Sequence, residues 1–445
     1  MTTFGTDKQT LSDLDIFPQY KKDSSVFGFF DKTATQGGSK ELYAMLHSPL
    51  NDKKAIEERA RTFRYLTDNN IEIPLDKDYL DFIEFYLNEN VKPLKDHFID
   101  AYVDGISYRV KSNSNYYVIS RGVEYVKVHL ISFLEALDDL PDTDLPLFFV
   151  NFKNELIAIK ENRQTAAIFQ KKQKISFRNV NRFDSLLRGS FLPAMRNILR
   201  NTYMLDAFQS VAKTAKAHAM CFPVFEDAQK PFLEIKQLFH PLLKNPVRNN
   251  IGIKEDDNLL FLTGSNMSGK STFLKATGVC VYLAHAGFPV PAGHMRLSVY
   301  NGLYTTINLP DDIFKGFSHY YSEVRRLKDI TLQLKEKKRV LVIFDELFRG
   351  TNVKDAYDAT RLVISGFSKV KSSIFLISTH ILEVGEKIRD QKGIVFNCFE
   401  SSIKNDKPVY PYLLSNGIST ERLGLTILRN EGVLALIEDI SKGDT

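Results

Sequence analysis

The sequence has little of what would assign it to a class at once, and each absence removes a possibility. It holds only three cysteines, Cys221, Cys280 and Cys398, far apart and without the short spacings of a metal site. A disulfide scaffold and a cysteine metal centre are therefore excluded, and free, buried thiols in a reducing compartment are expected. No apolar run approaches the ~18 residues of a membrane span. The start, Met1-Thr-Thr-Phe-Gly-Thr-Asp-Lys8, lacks the basic-then-apolar order of a secretory signal. A soluble, cytoplasmic protein without a membrane partner is expected. No internal repeat is visible. A strong charge of one sign is missing too: 59 basic residues against 54 acidic leave +5. That value neither requires nor excludes a polyanionic partner, because the field depends on where the charge sits. What is present is ordinary for a globular protein, with 43% hydrophobic and 25% charged residues over 445 positions. At about 150 residues per domain, that length accommodates two to four domains.

Two textures divide the chain. Up to residue 236 long amphipathic stretches predominate, among them 53–67, 79–90, 123–137 and 192–219. In the last, Leu192, Met195, Ile198, Leu199, Tyr203, Leu205, Phe208, Val211 and Ala215 recur at helical spacing. From 237 to 445 apolar runs of β type alternate with glycine loops and helices. The runs 259–263, 339–344 and 373–378 read as buried strands, so this half reads as an α/β domain. The expected fold is α plus α/β: an all-helical domain over 1–236 and a nucleotide-binding domain over 237–445.

Charge is uneven within the helical half. Between Arg163 and Arg200 stand nine basic residues and a single acid, Asp184, so this stretch carries more net positive charge than the whole chain. The cluster includes Lys171, Lys172, Lys174, Arg178, Arg182 and Arg188. Acids at Glu135, Asp138, Asp139, Asp142 and Asp144 precede it. Two readings stay open: a solvated helix face balancing that neighbour, or a phosphate-backbone contact that gains affinity by releasing counterions.

The most specific motif is Gly264-Ser265-Asn266-Met267-Ser268-Gly269-Lys270-Ser271, followed by Thr272. It fits G-x-x-x-x-G-K-[ST] and lies between a predicted strand and a predicted helix. Glycines let the backbone N–H groups wrap phosphate oxygens, and a helix N-terminus adds a favourable dipole. Lys270 is expected to meet the β- and γ-phosphates of ATP, and Ser271 to hold Mg2+. A second apolar strand ends in Asp345-Glu346; Asp345 would complete the Mg2+ shell and Glu346 would polarise the attacking water. A third ends in Ser378-Thr379-His380, where an imidazole could sense the γ-phosphate, although a histidine taken alone is more often an ordinary packed one. Ser318 reads as the N-cap of a helix running to about Glu336. Capping alone is its simple role. Its position between the two nucleotide motifs is also where ABC-type ATPases carry the serine that reaches the nucleotide of the other subunit, which would make turnover depend on a dimer.

These stretches resemble the MutS family of DNA mismatch-repair ATPases. Thr263-Gly-Ser-Asn-Met-Ser-Gly-Lys-Ser-Thr-Phe-Leu-Lys275 is similar to the family's T-G-P-N-M-x-G-K-S-T-x-L-R. Gly287-Phe-Pro-Val-Pro-Ala292 resembles G-x-x-V-P-A, Asp345-Glu-Leu-Phe-Arg-Gly-Thr-Asn352 resembles D-E-x-x-R-G-T-S, and Ser378-Thr-His380 resembles A-T-H. Gly316-Phe-Ser318 with Glu323 resembles the signature region, His319 and Tyr320 replacing the usual Thr-Phe. Residues 415–424 are similar to S-Y-G-I-H-V-A-x-L-A. The likeness continues into the helical half, where 30–42 resembles the opening of the family's core domain, and Phe239-His-Pro241 resembles R-H-P ahead of the ATPase domain.

The resemblance implies a core-and-lever domain joined to an ABC-type P-loop ATPase. It implies ATP and Mg2+ as cofactors, a homodimer, and DNA, duplex or branched, as a non-sequence-specific partner, for which the basic cluster offers Lys171, Lys172, Lys174, Arg178 and Arg182. Glu346 and His380 would act within the subunit, and Ser318 across the dimer. Because the chain starts where the family's core domain starts, it reads as a truncated member without the mismatch-recognition domain. An ATP-switched scaffold that binds a protein partner is the alternative. Val247 and Arg248 occupy the place of the family's adenine-side aromatic, and Ser419 stands where a histidine is usual.

Overall fold

In the computed structural model, the described residues are 4–19, 24–95, 114–170, 175–308, 319–404, 407–419, 430 and 432–443. The first stretch of chain is helical: α1 (Lys8–Asp13), α2 (Val26–Phe30), α3 (Gln36–His47), α4 (Lys53–Asp68), α5 (Lys77–Leu87), α6 (Ser114–Asp138), α7 (Leu147–Glu161), α8 (Phe177–Leu187) and α9 (Leu192–Ala217). Strands β1 (Val224–Phe225), β2 (Leu233–Leu238), β3 (Asn249–Ile253) and β4 (Leu259–Gly264) follow, then α10 (Lys270–His285), β5 (His294–Leu297) and β6 (Gly302–Thr306). Next come α11 (His319–Glu336), β7 (Val340–Asp345), α12 (Val353–Phe367), β8 (Ile374–Ser378), α13 (Leu382–Ile388) and β9 (Ile394–Phe399). Strands β10 (Ser402–Lys404), β11 (Lys407–Val409) and β12 (Leu414–Asn416) and helix α14 (Val433–Gly443) end the series. The predicted strands 259–263, 339–344 and 373–378 correspond to β4, β7 and β8. One expectation needs correction: strand structure begins before residue 237, because β1 and most of β2 lie ahead of it. Alternation in Leu233-Glu-Ile-Lys, with Leu233 and Ile235 buried, is the short β signal that the long helical texture obscured.

Contacts divide the chain into two compact units, one of Met1–Phe29, Leu46–Ala60 and Ala215–Thr445, the other of Phe30–Met45 and Arg61–Thr214. In the first unit a six-stranded sheet has the order β12-β9-β4-β8-β7-β6. All pairs are parallel except the antiparallel edge strand β12. Strands β4, β6, β7 and β8 are buried at every residue, as expected when both faces of a parallel sheet are covered. On one face Phe367 of α12 stacks on Phe375 at 4.4 Å and lies parallel to Phe344 at 6.0 Å, which ties the helix to β8 and β7. The register sets Asp345 opposite Ser378 and Leu262 opposite the same Ser378, so β7 and β8 end level while β4 runs two residues further, to Gly264. A separate four-stranded sheet has the order β1-β5-β2-β3. Asp13 anchors the N-terminal segment beside β6, accepting hydrogen bonds from the Thr305 hydroxyl at 2.7 Å and the Ile307 N–H at 2.9 Å.

The second unit is helical. Its core includes the edge-to-face pairs Phe63–Phe208 and Phe148–Phe208, at 5.1 and 4.9 Å. The glycine pair of the 30–42 motif has a steric purpose here. A Cβ on Gly37 would come within 2.3 Å of the Tyr203 ring, and one on Gly38 within 2.3 Å of Asp206 Oδ2. Asp206 in turn accepts the N–H groups of Ala34 and Thr35 at 2.9 and 2.8 Å, so α3 starts flush against α9. Among the described residues no helix is long and apolar enough to cross a membrane. The three cysteines are free; Cys280 and Cys398 are buried as expected, whereas Cys221 is half-buried.

Candidate functional site

The sequence between β4 and α10 forms a tight loop because its backbone repeatedly takes positive φ: 147° at Gly264, 67° at Met267 and 104° at Gly269. Gly269 precedes α10 and offers no side-chain cap, so the first-turn N–H groups of the helix have no cap from it. Lys270 folds back into the loop, its Nζ donating to Gly264 O at 2.8 Å and Ser265 O at 3.0 Å. Burial lowers the pKa of this lysine, against the opposing pull of Glu346 and Asp345. The Ser268 hydroxyl is buried in the same loop without a hydrogen-bond partner among the described residues. A concave, N–H-rich loop with an inward lysine and an unmatched hydroxyl fits a polyphosphate.

The carboxylates stand at the neighbouring strand ends. Asp345 accepts from Ser271 Oγ at 2.5 Å on Oδ2 and from the Ser378 hydroxyl on Oδ1, so both its oxygens are oriented. The pair of hard oxygens, one hydroxyl and one carboxylate, fits Mg2+, which is commonly held by one or two carboxylates together with substrate phosphates. Glu346 has φ 56° and donates its N–H to Ser378 at 3.1 Å. Its carboxylate faces three cationic or ionisable groups: Arg349 at 2.9 Å, Lys270 at 3.6 Å and His380 at 3.6 Å. His380 foremost, with Arg349 and Lys270 adding, holds the Glu346 carboxyl down at about 2 against the opposing effect of burial. Arg349 is itself positioned by the buried Glu323, whose Oε1 accepts the Arg349 N–H at 3.3 Å.

A cavity of about 650 Å3 opens beside the loop, reaching from Lys270 and Ser271 past Thr272 to Val247 and Tyr412. It is large enough for a nucleotide. The structure thus brings Asp345, Glu346 and His380, at the ends of β7 and β8, together with Lys270 and Ser271 of the loop that runs from Gly264 to Thr272. Sequence reasoning gave no role to Arg349 or Ser378, although both lie inside motifs it had singled out. Val247 lines the cavity, Arg248 lies over the Phe239 ring at 4.5 Å, and Ser419 is buried with its N–H on Thr263 Oγ1 at 2.9 Å.

Other expected site residues fall elsewhere. Ser318 lies outside the described residues, as do Lys171, Lys172 and Lys174. Arg178 is exposed on α8, and Arg182 on the same helix reaches Gln164 O at 3.3 Å. Arg188, counted with the basic cluster, is corrected: it is buried, with Nε 2.6 Å and Nη2 2.8 Å from the two oxygens of buried Asp184. The pair cancels internally, so the remaining eight basic residues carry the segment's charge without it.

Comparison with known proteins bears on this unit. The family model described as MutS domain V matches residues 260–440. The chain is similar to MutS protein homolog 4 of Mus musculus, with 32% identity over 230 residues, covering 49% of this chain and 23% of that protein. It is also similar to the DNA mismatch repair protein MutS of Petrotoga mobilis, with 26% identity over 290 residues, 64% of this chain and 35% of that protein. The MutS of Persephonella marina is 26% identical over 234 residues, covering 52% of this chain and 26% of that protein. The chain therefore spans between 23% and 35% of the length of these relatives.

Proposed function

We propose that this chain, whose residues 260–440 match MutS domain V, is a Mg2+-dependent ATPase of DNA mismatch repair or recombination. The observation that carries this reading is the meeting of Lys270, Ser271, Asp345 and Glu346, linked by the 2.5 Å Ser271–Asp345 hydrogen bond and the 3.6 Å Lys270–Glu346 contact. Loop N–H groups and Lys270 bind the β- and γ-phosphates of ATP. Ser271 and Asp345 hold Mg2+, which supplies positive charge against the phosphate oxygens when bound.

Glu346 is ionised at every working pH and accepts a hydrogen bond from the attacking water, aiming it at the γ-phosphorus. The cations that hold its carboxyl low also weaken it as a proton acceptor. Phosphate that draws Lys270 and Arg349 away from Glu346 would restore its basicity where it is needed. His380 faces the same carboxylate and would register the γ-phosphate. Ser318 acts on the nucleotide of a second copy, so a homodimer is the active form.

The DNA contact is assigned to the basic segment around α8, with Arg178 and Arg182 acting alongside Lys171, Lys172 and Lys174. The test is ATP turnover measured with a panel of duplex, branched and mismatched DNA against no DNA. Turnover should rise with at least one DNA. Combined Arg178→Glu and Arg182→Glu should reduce that stimulation several-fold and flatten its dependence on salt, because each lost phosphate contact lowers the salt slope by about 1. A rate indifferent to every DNA removes the DNA assignment and favours a protein partner.

A further inference from the structure

The helical unit carries a second surface that neither the nucleotide site nor the basic segment uses. On the solvent side of the α5–α6 pair, Tyr79 of α5 stacks on Tyr125 of α6 with centroids 4.0 Å apart. Phe82 meets Tyr125 edge-on at 5.2 Å and Phe85 at 6.4 Å. These rings form one contiguous group, yet it is not core: Phe85 is 55% exposed and Tyr79 37%. Val128 on α6, 46% exposed, extends the apolar surface. A single exposed apolar residue is ordinary, whereas a contiguous group of rings marks an interaction surface. Beside it a cavity of about 210 Å3 opens, lined by Pro74, Leu75, Tyr79, Val128 and Phe133 together with Asp76. That volume lies below the ~300–1,000 Å3 of small-molecule sites and suits one apolar anchor side chain of a partner.

The charge around the rings identifies the partner's chemistry. Asp78 stands one helical turn before Phe82 and two before Phe85, and Asp81 one turn before Phe85. Both acids are exposed, so α5 interleaves carboxylates with rings on one face. Lys77 is the single cation of α5. On α6 the charge of Arg121 is matched by Glu124 at 2.9 Å, and its guanidinium lies over the exposed Tyr117 ring at 5.8 Å. The face is therefore aromatic and anionic together. Rings alone would also suit stacked nucleobases, but these acids repel a phosphate backbone. An apolar helix face edged with lysine or arginine complements both properties at once.

We propose that the α5–α6 face docks a basic, amphipathic helical segment of a protein partner. Tyr79, Phe85 and Val128 meet its apolar side, the neighbouring cavity takes one of its side chains, and Asp78 and Asp81 pair with its cations. This surface is independent of the nucleotide-site reading, and its charge is opposite to that of the segment assigned to DNA.

The chain has no tryptophan, so the emission of a tryptophan placed in a peptide reports the peptide alone. The probe is a synthetic amphipathic helix of leucine and lysine with one tryptophan, titrated with the purified full chain. It should bind, and the same pattern built from leucine and glutamate should bind at least about 10-fold more weakly. Phe85→Ala and Val128→Glu should each weaken the lysine peptide about 10-fold, the loss expected for one anchor contact. Asp78→Asn with Asp81→Asn should weaken it too and flatten its dependence on salt. A thermal melt of each variant checks that the fold is kept. A wild-type chain that does not bind the lysine peptide, or variants that all bind it as wild type does, would overturn the proposal. So would a dimer in sedimentation that Phe85→Ala dissociates, which would make a second copy the occupant. Binding of a single-stranded oligonucleotide that Phe85→Ala weakens would overturn it in favour of nucleic acid.

Discussion

Glu346→Gln should lower ATP turnover by 100-fold or more while leaving ATP bound. The substitution keeps the shape of the side chain and removes its charge, so the contribution of a positioned acid–base group, about 10²–10⁴, is lost selectively. The carboxylate lies 3.6 Å from Lys270 and 2.9 Å from Arg349. In the variant both cations lose that anionic partner and face the γ-phosphate with their charge uncompensated. Affinity for ATP should therefore hold or tighten as turnover falls. Phosphate release and equilibrium binding on the same preparation check both halves. Turnover within a few-fold of wild type would remove Glu346 from the chemistry and leave Asp345 alone at the strand end.

Asp184→Ala should be the most destabilising single change in the helical unit, at about 3–5 kcal/mol. Asp184 accepts four hydrogen bonds: two from Arg188, one from the Tyr86 hydroxyl at 2.8 Å and one from the Leu94 N–H at 2.7 Å. Its removal strands a guanidinium that is itself buried and that keeps, among the described residues, its contacts to Val91 O at 2.7 Å and the Tyr86 ring at 5.3 Å. The double variant Asp184→Ala with Arg188→Met should recover part of the loss, because the uncompensated charge goes with the second change. Urea unfolding followed by helical circular dichroism measures both. The exposed pair Arg200–Glu41, at 3.3 Å, should by contrast matter little when broken. A double variant no more stable than the single one would mean that the cost lies in lost packing rather than in the stranded charge.

These two sites differ in how far the sequence reveals them. The glycine loop and Asp345-Glu346 are legible because their chemistry is written in consecutive residues and in strands apolar enough to be buried on both faces. Ser378 shows the limit: its hydroxyl aligns Asp345, but only the β7–β8 register reveals that it stands opposite. Arg188 reads as surface charge because four neighbouring residues reveal its spacing to Asp184 and nothing of Tyr86, 98 positions earlier than that acid. The turn at Tyr412 is less visible still, since the side chain that donates to its backbone oxygen is that of Asn249, 163 positions away. β1 and β2 were hidden for a different reason: short strands carry few residues of alternation, and the long amphipathic helices before them set the apparent texture. Local chemistry is legible where contacts are local, and long-range contacts decide the rest.

The central claim is that the loop at the end of β4 and the acids at the end of β7 form one Mg2+-dependent ATP-hydrolysing site. Phosphate release from ATP by the purified wild-type chain and by Lys270→Ala, each with Mg2+ and with a chelator, tests it directly. Turnover that requires Mg2+ and falls at least 100-fold in Lys270→Ala is the predicted result. Turnover that persists in Lys270→Ala or in the chelator, or a wild-type chain that releases no phosphate with or without DNA, would contradict it.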